Sequence, residues 1–426
     1  MDARVLIVIA AVAAGCEKQS KLYCERHPTD LENCGYLDAG IDARPTCNAD
    51  PDCAASPGAP FCEQNTHYCV ECYLPEHCAN RGDEMFCDLD TFRCTSCVAH
   101  ADCASNACLP NGTCGDDASV AYVDPAAPAA NTTCTLAEKC STIGAALVTK
   151  RPYIKLQGAI VEAVPPIDTV SVTFLAEPGT TLTRANGGVV LDIGMGSDIA
   201  IYDLAITGND EKGILVEKST LRLVSSSVTG CNHKDRRAIE AKMGSTLIMS
   251  RSTIFSNAGG GVLTDGTTTY NLTNNFIYRN GATDSMVGGL SLGAASAGLN
   301  RVEMNTIVDN QATLTADAGG LYCASTLRAP NNLIARNRTG TTTPTTNLNA
   351  NKPVTGGCNL TDSQVANDVV DFAFVMSEGS GPWDYHVGAG SMAIDRGVAS
   401  DLAVDVDGDA RPYNGKVDVG ADEYTP

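Results

Sequence analysis

A short phrase that ends in asparagine recurs along the middle of the chain. The phrases close at Asn209, Asn232, Asn257, Asn280, Asn310 and Asn337, in steps of 23, 25, 23, 30 and 27 residues. A period of this length in a stretch rich in Gly and Thr predicts the stacked units of a β-solenoid. Asn tolerates the left-handed backbone of a sharp turn, and its amide can hydrogen-bond to an identical amide one coil away. We therefore expect the six asparagines to stack along one corner.

Two further phrases follow each asparagine at matching offsets. One begins with a small residue, as in Gly213-Ile-Leu-Val and Gly320-Leu-Tyr-Cys. The next begins with threonine, as in Thr220-Leu-Arg-Leu and Thr246-Leu-Ile-Met. Three short strands and three turns in roughly 25 residues make one triangular coil of a parallel β-helix. The sequence thus predicts an all-β, single-stranded solenoid, a parallel β-helix, over residues 117–426.

The balance of charge excludes one class of partner. The chain has 426 residues, with 29 basic and 50 acidic side chains and a net charge of −21. This charge repels nucleic acids and anionic lipid surfaces, so we expect no nucleic-acid partner. The length leaves room for more than one domain.

Residues 1–16 predict export with a lipid anchor. Arg4 precedes an apolar run from Val5 to Ala13, which is too short to span a bilayer. The small residues before Cys16 resemble a bacterial lipobox, in which the cysteine is lipidated and begins the mature protein. Ala13 stands where leucine is usual, so an ordinary secretory signal is the alternative. We expect a lipid on Cys16 to be the only membrane anchor. This lipid would place the protein in the bacterial cell envelope, in the outer membrane or at the cell surface. With an ordinary secretory signal instead, the protein would be secreted.

Residues 17–44 are predicted to form a tether, and residues 45–116 a small disulfide-rich repeat region. The cysteines recur with a period of 25 residues, the last copy being compressed: Cys47, Cys53, Cys62 and Cys69, then Cys72, Cys78, Cys87 and Cys94, then Cys97, Cys103, Cys108 and Cys114. So many cysteines with few large apolar side chains are typical of a disulfide-stapled scaffold in an oxidising compartment. The Cys-x-x-Cys pairs at the repeat boundaries are also compatible with zinc, but the export signal favours disulfides.

Four cysteines in a repeat allow three pairings, of which we favour first with third and second with fourth. Cys134 and Cys140 are predicted to close a further loop. One cysteine at least has to lack an intrachain partner, since 19 remain once Cys16 is lipidated. Cys231, within the coils, is our candidate.

The solenoid is expected to begin with a strand at Val120-Ala-Tyr-Val and to be capped by a short helix. The segment from Ser141 to Thr149 has a serine N-cap and apolar residues at helical spacing. A helix there would cover the open end of the solenoid, whose strand edges otherwise invite aggregation.

The two ends of this region resemble a known family. Cys140-Ser-Thr-Ile and Gln157-Gly-Ala-Ile-Val-Glu162 look like the opening of pectate-lyase-like right-handed parallel β-helix proteins. Four motifs near the C-terminus are similar to those of choice-of-anchor Q proteins, which are secreted or surface-held bacterial β-helices: Trp383-Asp-Tyr-His386, Gly390-Ser-Met-Ala-Ile-Asp395, Asp405-Val-Asp-Gly-Asp-Ala-Arg-Pro412 and Val417-Asp-Val-Gly-Ala-Asp-Glu-Tyr424. The resemblance covers residues 120–426. It implies a right-handed helix and an exposed location, but no single reaction.

Many β-helices cut acidic glycans, so a polysaccharide lyase is one hypothesis. Such an enzyme abstracts a proton with Lys or Arg, and a cation neutralises the substrate carboxylate. Glu217, Lys242 and Asp265 fall at equivalent outward positions of three successive coils, with Glu240 beside Lys242. Lys242 and Glu240 are the candidate catalytic residues, and Glu217 and Asp265 the candidate calcium ligands. We favour the alternative of a charge ladder, in which each pair contributes less than about 1 kcal/mol. Arg279, Asp309 and Arg336 form a second alternating ladder.

Asp405, Asp407 and Asp409 are a second set of candidate calcium ligands. The glycine of this segment comes too early for an EF-hand, and Lys416 stands where the EF-hand has glutamate. We favour a terminal turn closed by Arg411. Aromatic residues make up 5% of the chain, with Trp383 as the single tryptophan, so we expect few stacking platforms for sugars.

These observations favour an exported cell-surface lipoprotein whose β-helix has a binding or structural role, with a glycan as the favoured ligand class. The alternative is a polysaccharide lyase, or another glycan-active enzyme, that uses the face of Glu217, Glu240, Lys242 and Asp265. Calcium is the one cofactor left open. The sequence indicates no oligomeric state.

Overall fold

A computed structural model of the protein describes residues 46–426, apart from residues 57, 65–66, 75–76, 79–85, 89–91, 185, 295–299, 317, 341–353, 361, 363, 367–371 and 377–380. The boundary between two compact units falls between Gly115 and Asp116. The predicted signal, the lipidation site at Cys16 and the tether lie outside the described residues. Among the described helices, none is long and apolar enough to cross a membrane.

The first unit is built from small disulfide-bonded repeats. Its described elements are the 3-10 helices Asp50–Cys53 and His100–Asp102 and the antiparallel strand pairs Phe61–Glu63 with Tyr68–Val70 and Phe86–Asp88 with Arg93–Thr95. The disulfides are Cys47–Cys62, Cys53–Cys69, Cys72–Cys87, Cys78–Cys94, Cys97–Cys108 and Cys103–Cys114. This is the first-with-third, second-with-fourth pairing that the sequence favours. Because these sulfur atoms are bonded to each other, the Cys-x-x-Cys pairs offer no thiolate to zinc.

The second unit is a parallel β-helix with three sheets, as the sequence predicts. The first sheet has the strands Val120–Val123, Tyr153–Leu156, Ser171–Ala176, Asp198–Tyr202, Thr220–Val224, Thr246–Ser250, Thr269–Thr273 and Arg301–Glu303. The second has Ala159–Val161, Thr181–Thr183, Ala205–Thr207, Ser227–Thr229, Thr253–Phe255, Phe276–Tyr278, Thr306–Val308, Leu333–Ala335 and Gln364–Ala366. The third has Ile167–Asp168, Leu191–Gly194, Ile214–Glu217, Ile239–Lys242, Val262–Thr264, Leu290–Leu292, Leu321–Arg328 and Val354–Asn359. A short parallel pair, Gln311–Ala312 with Arg338–Thr339, lies beside them.

Alternation of side chains explains why these residues form coils. Along Thr220–Val224, Leu221 and Leu223 are buried while their neighbours are partly exposed. The pairing is parallel and in register, so that Leu221 lies on Leu247 and Leu223 on Met249. Inward residues of successive coils thus form one continuous apolar core, which stabilises the stack.

The asparagine ladder contains four of the six predicted members. Buried amides run from Asn257 through Asn280 and Asn310 to Asn337, with Nδ2 to Oδ1 distances of 2.9, 3.0 and 2.9 Å. The left-handed residues are the ones just before, with φ between 52° and 55° at Ser256, Arg279, Asp309 and Arg336. The asparagine therefore satisfies backbone groups around the turn rather than forming the left-handed position itself.

The expectation for Asn209 and Asn232 is wrong, since both are exposed and outside the ladder. Strand register pairs Val228 with Ile254, which places Cys231 rather than Asn232 against Asn257. Accordingly, the Cys231 N–H donates to Asn257 Oδ1 at 3.0 Å. A thiol cannot continue a series of amide-to-amide hydrogen bonds, so the ladder starts at Cys231. Among the described cysteines, Cys231 is free and buried.

A second polar ladder, which the sequence analysis missed, stacks at the corner between the first and second sheets. Asn275 Nδ2 donates to Asn305 Oδ1 at 2.9 Å, and Asn305 Nδ2 to Asn332 Oδ1 at 3.0 Å. Ser226 and Ser252 extend it through backbone N–H groups. Another missed link is the disulfide Cys323–Cys358, which joins neighbouring strands of the third sheet.

The capping helix spans Ile143–Val148, and its N-cap is Thr142 rather than the predicted Ser141. Thr142 accepts a hydrogen bond from the Ala145 N–H at 3.1 Å. The carboxylate of Glu162 accepts the N–H groups of Ile143 and Gly144, and the helix buries Ile143 against the solenoid core. The predicted disulfide Cys134–Cys140 precedes it.

The end of the chain does not continue the coils, contrary to the prediction of one solenoid to residue 426. The C-terminal strap, residues 372–376 and 381–426, lies along the outer face of the second sheet and includes the antiparallel strands Phe374–Met376 and Asp384–Val387. Its apolar residues pack on Phe276, Tyr278, Val308 and Leu333. Strands Phe276–Tyr278, Thr306–Val308 and Leu333–Ala335 are buried on both faces for this reason, whereas Ala205–Thr207 and Ser227–Thr229 bury only one.

Polar contacts fix the strap to three successive coils. Asn274 Nδ2 donates to the Val404 carbonyl at 2.7 Å, and Asn331 binds both backbone groups of Val398. The Ala421 N–H donates to Thr306 Oγ1 at 2.9 Å.

Candidate functional site

The structure assembles the charge ladder of the third sheet in part. Lys242 is paired with Glu217 in register, and its Nζ lies 2.9 Å from Glu217 and 3.7 Å from Glu240. Glu240 also binds Lys212 at 2.5 Å. The hydrogen bond with Glu217, with support from Glu240, raises the pKa of Lys242. A proton-abstracting base needs a free lone pair, so this environment opposes the catalytic role.

Asp265 belongs to a turn. Its carboxylate accepts the N–H groups of Met243 and Thr267 and the hydroxyls of Thr267 and Thr268, at 2.7–2.9 Å. Burial opposes ionisation, but these hydrogen bonds prevail and lower the pKa of Asp265 to about 2. The oxygens of this carboxylate are thus engaged by the turn, which opposes a role as a calcium ligand.

The three aspartates of the second calcium candidate do not converge either. Asp405 is buried, and its Oδ1 accepts the N–H groups of residues 407–409 while Oδ2 accepts that of Glu423. Asp409 is exposed. Arg411 is buried, and its guanidinium binds the segment that follows, with Nη1 3.1 Å from Glu423 and Nη2 2.9 Å from the Gly420 carbonyl, whereas the Asp405 carboxylate holds the turn itself.

A cleft of about 360 Å³ opens between the second sheet and the C-terminal strap. Its walls include Thr253, Phe276, Tyr278, Trp383, Asp384 and His386. We call it the strap cleft. It combines apolar walls with a few polar groups, as small-ligand sites do.

Aromatic side chains gather around this cleft, which the low aromatic content did not lead us to expect. Tyr278 and Tyr385 lie 4.5 Å apart between ring centroids, and Phe276 and His386 4.9 Å. Phe374 adds an edge-on contact to Tyr385 at 5.3 Å. Few aromatics are present in the chain, but folding gathers several of them around the cleft.

The second charge ladder positions the cleft wall. Tyr385 donates its hydroxyl to Asp309 Oδ2 at 2.6 Å and accepts from Arg279 Nε at 3.0 Å. Arg336 binds the same Asp309 oxygen at 2.7 Å. The Arg279 guanidinium lies 4.0 Å from the ring centroid of Trp383, a cation–π contact. Arg279 and Asp309 therefore hold two aromatic residues of the strap.

His386 lies between two carboxylates at the edge of the cleft. Its Nδ1 is 2.5 Å from Asp384 Oδ1, and its Nε2 is 2.8 Å from Asp407 Oδ2. Asp407 has the largest effect on this imidazole, and Asp384 adds to it. Partial burial lowers the pKa of His386, but the two carboxylates prevail and raise it to about 9. Buried Asp422 lies nearby, and burial raises its pKa to about 6.

The sequence contained a signal for this site that was not used. Outward positions of a solenoid strand are normally polar, but Phe276, Tyr278 and Val308 are apolar. Such positions indicate that another segment covers the face.

Comparisons with known proteins bear on the fold. Residues 180–367 match the model of the right handed beta helix region. The crystal structure of pectate lyase Pel9A aligns with 12% identity and a TM-score of 0.42, over 72% of this chain and 96% of that one. Among curated proteins, none matches the sequence significantly. Together with the parallel sheets, the family match shows that the second unit of this chain folds as a right-handed parallel β-helix.

Proposed function

We propose that the protein is an exported β-helix protein that binds a glycan in the strap cleft. The observation that carries the proposal is the cleft itself, in which Trp383 and Phe276 lie beside Asp384, His386 and Thr253.

A sugar ring presents both apolar C–H faces and hydroxyl groups. Aromatic walls suit the C–H faces, while a carboxylate, an imidazole and a hydroxyl supply acceptors and donors for the sugar hydroxyls. Trp383 is half-buried, and Asp384 and His386 retain 41% and 34% exposure of their side chains. These groups are therefore both accessible and fixed.

We further propose that the protein works in the cell envelope, where glycans are abundant. The disulfide-rich first unit suits an oxidising compartment, and Cys16 would supply the lipid. Metabolic labelling with a radioactive fatty acid should mark the wild-type protein and leave Cys16→Ala unlabelled. Equal labelling of both would contradict the anchor.

Screening the full chain on a glycan array should give at least one ligand, and Trp383→Ala should weaken its binding about tenfold or more, because an aromatic wall is lost. Tyr413→Ala is a matched control, since Tyr413 is an exposed aromatic residue of the strap outside the lining of the cleft. A ligand bound equally by both variants would show that glycan binding lies elsewhere. A complete absence of ligands would contradict the proposed function.

Product analysis on the same ligand separates binding from turnover. The alternative, a lyase acting through Lys242, would release unsaturated oligosaccharides that absorb ultraviolet light, and Lys242→Ala would abolish them. We expect no such products from either protein, since Glu217 and Glu240 keep Lys242 protonated.

A further inference from the structure

Three ligand-type side chains from separate motifs meet at the edge of the strap cleft. His386, Asp407 and Asp422 each offer one atom, and these atoms all lie within 4.8 Å of one another. We propose that His386, Asp407 and Asp422 bind a divalent transition-metal ion such as zinc.

The donor set fits this class of ion. Zinc takes imidazole nitrogen and carboxylate oxygen at about 2.0–2.2 Å, so its ligand atoms lie roughly 3.5 Å apart. A site with three protein ligands leaves a position open for water or another ligand. Calcium prefers six to eight oxygen ligands, and one imidazole with two carboxylates suits it poorly.

The orientation of the imidazole supports a ligand role. Asp384 contacts Nδ1, and a carboxylate there holds a proton on Nδ1, so that Nε2 is the nitrogen that would release its proton to an incoming metal ion. The Nε2 atom is buried and lacks a hydrogen bond of good geometry, although Asp407 Oδ2 is only 2.8 Å away. The carboxylate therefore lies off the ring's donor direction. This arrangement suits two neighbouring ligands of one metal ion better than it suits a hydrogen-bond donor and its acceptor.

The local charge also calls for a cation. Three carboxylates, those of Asp384, Asp407 and Asp422, surround one imidazole. Asp422 is 7% exposed, and its Oδ2 accepts the Val387 N–H at 2.7 Å. Buried negative charge is costly unless a cation compensates it.

Neighbouring contacts hold the three ligands in place before any ion arrives. Asp405 gathers the N–H groups of residues 407–409 and so fixes the turn that carries Asp407. The Val387 N–H orients Asp422, and Val387 follows His386 directly on its strand. Asp407 keeps 55% exposure, which gives an ion a path from solvent.

Zinc binding to the full, oxidised chain tests the proposal without any glycan, so its outcome is independent of the proposed function. Protein stripped with a chelator would be titrated with Zn²⁺ in a calorimeter, and separately with Ca²⁺. We expect one zinc site per chain and no comparable calcium site. Asp407→Asn should weaken zinc binding at least about tenfold, whereas Asp409→Asn, which removes the same charge from the same turn, should not.

A second variant and a folding measurement keep the result interpretable. His386→Gln should also lose the site, and circular dichroism with Trp383 fluorescence should show that each variant keeps the wild-type fold. Zinc binding that is equal in wild type, Asp407→Asn and His386→Gln would overturn the proposal, as would the absence of zinc binding to the wild type or a preference for calcium.

Discussion

Replacing Asn310 by alanine is expected to lower the free energy of unfolding of the β-helix by about 3 kcal/mol. Asn310 is fully buried in the middle of the ladder. Its Oδ1 accepts from the N–H and the Nδ2 of Asn280, and its Nδ2 donates to Asn337 and to the Ile277 carbonyl. Alanine leaves the buried Asn280 N–H without this acceptor and opens a small cavity. Urea unfolding would show the loss as a lower midpoint.

Asn232→Ala is the matched control, because Asn232 closes the same repeated phrase but is exposed. Asn232→Ala should change the free energy of unfolding by no more than about 0.5 kcal/mol. The single tryptophan, Trp383, lies in the β-helix unit, so its fluorescence reports on that unit without a contribution from the disulfide repeats. Equal losses in the two variants would show that the ladder does not stabilise the fold as described.

Arg411→Met is expected to destabilise the C-terminal strap by about 3–5 kcal/mol, since it leaves a buried charge without its partner. The Arg411 side chain is 0% exposed and that of its partner Glu423 is 1% exposed. The guanidinium also binds the carbonyls of Asp418 and Gly420. We expect the strap to open before the coils unfold, with a red shift of Trp383 fluorescence and binding of a hydrophobic dye to the uncovered second sheet.

Arg396→Met provides the control for Arg411→Met. Arg396 is exposed on the same strap, and its replacement removes the same charge. It should leave dye binding and fluorescence as in the wild type. An Arg411→Met variant with unchanged dye binding would mean that the buried pair of Arg411 and Glu423 does not hold the strap in place.

The coils were predictable because each one repeats the same physical environment. Inward residues such as Leu221 and Leu247 recur at one spacing, and the strands they predict are present. The exact position of Asn232 in the stack was not predictable from the sequence, since the strand register is set by the pairing of Val228 with Ile254. A single residue of difference places Cys231 inside and Asn232 outside.

The candidate sites were harder to predict from sequence, because their geometry depends on side-chain hydrogen bonds and on segments that are distant in the chain. Lys242 and Asp265 share a register, yet Asp265 is committed to its own turn with Thr267 and Thr268. The strap cleft joins Phe276 with Trp383, which no repeat period relates. Only the apolar outward side chains of the second sheet carried a hint of it.

The path of the strap has a consequence for how the molecule is made. A coil of a solenoid normally contacts only its neighbours and can form as soon as they are present. Here the coils that carry Asn274, Thr306 and Asn331 are joined by Val398, Val404 and Ala421, which follow all three coils in the chain, so the strap can dock only once those coils have formed. Until then Phe276, Tyr278 and Val308 stay open to water, and exposed apolar strands are the surfaces on which incomplete chains associate. The order of the chain thus places the most vulnerable interval of folding between the formation of these coils and the docking of the strap.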